Sequence, residues 1–212
     1  MAEITRRGMA GLALAAVPAL AGATEIAALN ITENPFGPSP EAKAALREAV
    51  THVEHYPHSE EAALMARIAA ANGVTPAHVV ISTGALELLS MISAFWGRDG
   101  VQLAPALTYD SHIKYAARVG APTRRVAMAG DQQIDLAAMT AGLGQDVRLT
   151  YLCNPNNPTG LLIERQALRA FCIGAAKVSP VVVDEAFIDM TSDPAGESVV
   201  DLVRDGHDVV VV

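Results

Sequence analysis

Short β-branched runs, each followed by a helix-patterned segment, constrain this chain more than any other feature. Val79–Ile81, Val101–Leu103, Val126–Met128, Val147–Cys153, Val181–Val183 and Val209–Val212 are too short and too apolar for surface strands. Between them, Ala85–Phe95, a segment ending near Gly120, Arg165–Lys177 and Val199–Val203 carry helical spacing. Strands joined through helices must run parallel, and a parallel sheet needs cover on both faces. The expectation is an α/β fold: a mostly parallel sheet with helices on both faces. In such sheets ligands collect where the strands end, so residues just after each run matter most.

Upstream, Ser39-Pro40 reads as an N-cap and first-turn proline. Ala42, Ala45, Leu46, Ala49, Val50 and Val53 then mark one apolar helical face. A second helix is expected from about Ser59 to Gly73, where glycine accepts the left-handed closing conformation. Residues 1–23 read differently. Arg6-Arg7 precedes an uncharged stretch ending in Ala21-Gly22-Ala23, the three parts of a secretory signal with a twin-arginine start. That predicts export of an already folded protein to the periplasm or beyond. Pro18 interrupts the stretch, which is also short for a membrane span, so no membrane partner is expected. The other reading is an N-terminal arm packing on a partner subunit of a cytoplasmic protein.

A net charge of −8 with no Lys/Arg cluster excludes a nucleic-acid surface. Cys153 and Cys172 show no metal spacing and read as buried thiols. His52, His55 and His58 recur every third residue, but Tyr56-Pro57 breaks the helix a shared metal would need, so no metal is expected.

The strand ends carry the chemistry. Ser82-Thr83-Gly84-Ala85-Leu86-Glu87 is a small-residue turn opening a helix, where free N–H groups attract anions. Thr108-Tyr109 offers a ring that could lie over a planar ligand. Asn154-Pro155-Asn156-Asn157-Pro158-Thr159-Gly160 is too polar and too stiff for a simple connector. Asp184-Glu185-Ala186-Phe187 puts a carboxylate at the tip of a buried strand, where it needs a partner.

Together with Asn34-Pro35-Phe36-Gly37 and Tyr56-Pro57, these residues resemble the fold-type-I pyridoxal-phosphate enzymes, and among them the class I/II aminotransferases similar to histidinol-phosphate aminotransferase. The resemblance runs from about Leu29 to Val212. It implies pyridoxal 5′-phosphate as cofactor, an amino-acid substrate and a 2-oxo acid as small-molecule partners, and a homodimer. It also implies roles. Asp184 pairs with the pyridinium nitrogen, Asn157 donates to the phenolic oxygen, and Tyr109 stacks on the ring. The N–H groups of Gly84, Ala85 and Leu86 hold the phosphate, and Tyr56 reaches the phosphate bound in the neighbouring subunit. His112 falls where some relatives place a histidine behind the aspartate. Residues 24–60 become an arm and first helix, and 61–212 a cofactor-binding large domain incomplete at its C-terminus.

The chain departs from the family pattern at three places. Leu86 stands where relatives often carry a polar residue. Phe187 stands where they usually have tyrosine, and Asp-Glu-Ala-Phe-Ile-Asp also resembles the threonine-phosphate decarboxylases. Lys43, Lys114 and Lys177 all precede Asp184, whereas the family's Schiff-base lysine lies beyond it. No catalytic residue is therefore assigned, and these 212 residues are expected not to turn over alone. A decarboxylase or a non-catalytic remnant are the alternatives.

Overall fold

The computed structural model describes residues 32–34 and 36–212, so the expected export leader lies outside the described residues. The chain divides into two units, Met1–Tyr56 and Pro57–Val212. In the first, α1 spans Pro40–Ala49, with the Ser39 hydroxyl accepting from the Ala42 N–H at 3.1 Å and proline at the first helical position. Its apolar residues follow the expected periodicity, yet none is buried: Leu46, Val50 and Val53 are all largely exposed. Tyr56 closes this unit and is 86% exposed.

The second unit opens with α2, His58–Asn72, which ends as expected at Gly73 in the left-handed conformation (φ +65°). Helix α3, Ala85–Gly97, leads into a sheet of five parallel strands in the order β2-β1-β3-β4-β5. The strands are β1 (Val101–Pro105), β2 (Thr123–Val126), β3 (Val147–Cys153), β4 (Val181–Asp184) and β5 (Val209–Val211). Helices α4 (Ser111–Arg118), α5 (Leu136–Gly142), α6 (Arg165–Ala175), α7 (Pro194–Glu197) and α8 (Val200–Arg204) fill the connections.

Period-two alternation sorts the strand residues into two cores. Leu103, Leu152, Val181, Val183 and Val209 pack with Met139, Leu168, Phe171, Cys172 and Leu202, from α5, α6 and α8, on one face. On the other, Ala104, Leu149, Tyr151, Cys153 and Val182 pack with Leu89 of α3 and Ile113 of α4. Helices thus cover both faces, and both cysteines are free and buried. Among the described residues no helix is long and apolar enough to cross a membrane.

Two expectations need correction, and two helices were not foreseen. Val79–Ile81 is not a strand: Val79 is extended (φ −113°, ψ 130°), but no neighbouring strand pairs with the segment and Val80 is 73% exposed. A strand is made by its partner, and β-branched residues alone do not supply one. The strand expected at Val126–Met128 instead runs Thr123–Val126, with Arg124 and Arg125 inside it. Their guanidinium groups reach sideways, Arg124 to Asp146 and the Gly142 carbonyl, Arg125 to Asp110 and the Pro105 carbonyl. Charge is tolerated there because β2 is an edge strand. Helices α5 and α7 had no counterpart in the sequence reading; each begins where an aspartate, Asp135 or Asp193, accepts an N–H from the first turn.

Candidate functional site

Because β1, β3 and β4 are adjacent and parallel, the loops after them emerge side by side. Cys153 lies opposite Asp184 in register, and the Asn154 N–H donates to the Asp184 carbonyl at 2.9 Å. Beyond that point the polar heptapeptide folds on itself. Asn154 Oδ1 accepts from the Ile163 N–H at 2.8 Å, and the Asn156 N–H donates to the Leu161 carbonyl at 2.9 Å. Both Asn-Pro bonds, Asn154-Pro155 and Asn157-Pro158, are cis. Asn156 is the tie to the next loop: its Nδ2 donates to the Leu107 carbonyl at 3.1 Å and to Thr159 Oγ1 at 3.0 Å. The segment carrying Tyr109 is thereby pinned to the segment carrying Asn157. Asn157 itself is half-buried.

Asp184 is 4% exposed and sits at the end of β4. Its Oδ2 accepts from the Tyr151 hydroxyl at 3.0 Å and its Oδ1 from the Ala186 N–H at 3.1 Å. Burial raises its pKa, while these two bonds work the other way. No cation pairs with it among the described residues. A buried carboxylate with donors but no counter-charge is the setting in which a protonated ring nitrogen would supply what is missing. Asp184 therefore fits the role the resemblance implies.

Behind it stands a row of rings. His112 is fully buried, its centroid 4.4 Å from Tyr151 in an edge-on contact (60°) and 5.9 Å from Tyr109. Among the described residues neither ring nitrogen of His112 has a hydrogen-bond partner. Burial, helped by the Arg125 charge and opposed by Asp110, lowers its pKa to about 4, so the imidazole is neutral at ordinary pH. It touches the tyrosine and has no hydrogen bond to Asp184. Burial first, and the Asp184 charge second, raise the Cys153 thiol to about 12 and push the Tyr151 hydroxyl up as well, so both remain protonated. Tyr109 is half-buried against the same core and leaves part of its ring open.

Helix α3 packs on β1 and β3 and turns directly into β1 through Arg98–Gly100. It therefore runs back along the sheet, with Gly84 toward the edge where the strands end. Gly84 has φ +114° and ψ 156°, a conformation essentially reserved for glycine, and a Cβ placed there would meet nothing within 4 Å. Among the described residues the N–H groups of Gly84, Ala85 and Leu86 donate to no backbone carbonyl. Glu87 is spoken for: its Oε2 accepts from the Thr83 N–H and hydroxyl at 2.9 and 2.7 Å, which keeps its pKa low. An open glycine with three free donors at a helix start suits a phosphate.

The structure thus draws Tyr109, His112, Asn157 and Asp184 to one end of the sheet, with Gly84–Leu86 on the covering helix. Tyr56 belongs to the other unit. Lys43 lies on α1, Lys114 pairs with Asp110 at 2.9 Å on α4, and Lys177 follows α6. Sequence reasoning missed Tyr151, which looks like a core residue. Alternation puts Tyr151 and Cys153 on one face, but only the register, with Cys153 opposite Asp184, shows which carboxylate that face meets.

Residues 24–212 match the family model for aminotransferase class I and II. The chain belongs to that family. Within it, the chain is 31% identical over 192 residues to the histidinol-phosphate aminotransferase of Brevibacillus brevis, covering 90% of this chain and 52% of that protein. The crystal structure of the Sinorhizobium meliloti histidinol-phosphate aminotransferase in complex with pyridoxal-5′-phosphate superposes with a TM-score of 0.71 at 28% identity, over 77% of this chain and 45% of that one. The L-threonine-O-3-phosphate decarboxylase of Porphyromonas gingivalis shares the fold, with a TM-score of 0.64 at 20% identity, over 82% of this chain and 52% of its own. This aminotransferase-family chain spans about half the length of the relatives it matches.

Proposed function

We propose that this chain carries the cofactor floor of a pyridoxal-phosphate-dependent aminotransferase resembling histidinol-phosphate aminotransferase, one that passes an amino group between an amino acid or amino-acid-like phosphate and a 2-oxo acid. The observation that carries this reading is Asp184: a buried, hydrogen-bonded carboxylate without a counter-charge, framed by the Asn154–Gly160 loop. When bound, pyridoxal phosphate supplies the electron sink for charge developing beside the substrate amino group. Asp184 would hold the proton on the ring nitrogen, and Asn157 would donate its amide to the phenolic oxygen. Tyr109 would cover the ring face. The free N–H groups of Gly84, Ala85 and Leu86 would hold the phosphate. Relatives named for histidinol phosphate support a phosphorylated substrate. The resemblance also supports a homodimer in which Tyr56 serves the partner's site, and the Arg6-Arg7 leader supports export.

Titration of the chain with pyridoxal phosphate, followed by fluorescence and visible absorbance, tests the reading. Saturable binding is expected, weakened at least about tenfold by Asp184→Ala, which leaves the cationic ring without its counter-charge. Borohydride treatment should leave the cofactor dialysable, since none of the three lysines occupies the expected position. Absence of saturable binding, or equal binding by Asp184→Ala, overturns the assignment; a borohydride-fixed chromophore overturns the absence of a Schiff base. Phe187 favours a second reading, decarboxylation. Amino transfer to 2-oxoglutarate measured against carbon dioxide release separates the two.

A further inference from the structure

Strand alternation places Tyr151 on the same face as Cys153 and Val182, diagonally behind Asp184. Its ring is 1% exposed and is wedged between the sheet and His112, whose edge-on contact leaves it little freedom. From that fixed seat the phenol donates to Asp184 Oδ2, while the Ala186 N–H donates to Oδ1. One donor on each oxygen fixes the plane of a carboxylate, because rotation would break both bonds at once. The other nearby donor, the Cys153 thiol, is turned to the Pro155 carbonyl at 3.3 Å. Tyr151 is thus the one side chain that hydrogen-bonds Asp184 among the described residues. Both bonds also favour the ionised form, opposing the burial that raises its pKa.

We propose that Tyr151 is a positioning residue: its hydroxyl holds the Asp184 carboxylate ionised and in one orientation for the cofactor's ring nitrogen. The assignment rests on the cofactor reading above. It makes the ring row a supporting wall, in which His112 locks Tyr151, Tyr151 sets Asp184, and Asp184 meets the ligand. His112 then acts by packing, which accounts for an imidazole with neither nitrogen engaged.

The test uses the whole chain and two probes, pyridoxal phosphate and its 1-deaza analogue, in which CH replaces the ring nitrogen. Wild-type chain should bind pyridoxal phosphate more tightly than the analogue. Tyr151→Phe keeps the ring and removes the hydroxyl. It should weaken pyridoxal phosphate about tenfold and leave the analogue unchanged, because only the ring nitrogen feels the state of Asp184. A general packing defect would weaken both. In the Asp184→Asn background, Tyr151→Phe should have no further effect on either probe. Independently of any ligand, the carboxylate of Asp184, followed by carbon-13 resonance with Asp184→Asn as the assignment control, should titrate about one pH unit higher in Tyr151→Phe. An unchanged carboxylate titration, equal weakening of both probes, or an undiminished effect in the Asp184→Asn background overturns the role of Tyr151. Failure of the wild-type chain to bind either probe overturns the cofactor reading and the proposal with it.

Discussion

His112 gives the protein an acid-sensitive hinge on its own stability. Its pKa falls from 6.5 to about 4 in the folded chain, through burial first and the Arg125 charge second. Between those values the unfolded chain binds a proton that the native chain refuses. Stability therefore rises with pH through this window, is fully present above about pH 6.5, and is lost as pH falls toward 4. The separation of more than two pH units corresponds to about 3 kcal/mol when the whole window is crossed. Asp184 and Glu185 act in the opposite sense: burial raises both, so they make the native chain more stable as pH falls into their range. A single pH profile would blend the opposing slopes, so the measurement is a difference. His112→Phe keeps a ring between Tyr109 and Tyr151 and removes two unpartnered nitrogens. Urea unfolding of both proteins from pH 4.5 to 7.5 should show near-equal stability at the upper end. At pH 4.5 the variant should lead by about 2–3 kcal/mol, which is a midpoint difference of about 1 M or more at ordinary urea slopes. Midpoints that stay parallel across the range would refute the buried neutral imidazole.

Two further outcomes follow from the loops. Asn156→Ala removes two hydrogen bonds and also an amide oxygen that is buried without a partner, so the net loss should be about 1–2 kcal/mol and about 3–6 °C in Tm, with weaker pyridoxal phosphate binding because the Tyr109 segment is released. A melting curve and a binding titration on the same sample check it. Gly84→Ala meets no clash, so its cost is backbone strain of about 1–3 kcal/mol, and it should weaken pyridoxal phosphate more than unphosphorylated pyridoxal. Equal weakening of the two ligands would contradict a phosphate at this turn.

Four of the five strands were legible because each carries a run of β-branched or aliphatic residues with little charge, and their alternation with helices dictates parallel pairing. Legibility stopped where structure depends on neighbours. Val79–Ile81 has the composition of a strand and lacks a mate, whereas Thr123–Val126 has a mate and hides its nature behind two arginines. Asp184 and the Asn154–Gly160 loop could be found because polar residues at strand tips are conspicuous. Tyr151 could not, because a tyrosine inside an apolar run looks like packing until register shows which carboxylate it faces. The ring contacts of His112 belong to the same class: they depend on how α4 lies over β3, which no local pattern encodes.

The two margins of the sheet have opposite characters. On the β2 side, Arg124 and Arg125 are braced by Asp146 and Asp110. An incoming chain would have to strip water and counter-ions from these groups before it could pair, so that margin refuses company. On the β5 side, Val209–Val211 present an all-valine strand, and Val79 and Val80, paired with no strand, line the same cavity of about 230 Å³. A strand adding to this sheet, whether in normal assembly or in aggregation, meets resistance at one margin and an apolar slot at the other. Growth is therefore polarised, and a lysine placed in β5 should suppress self-association where one placed in β2 would change little.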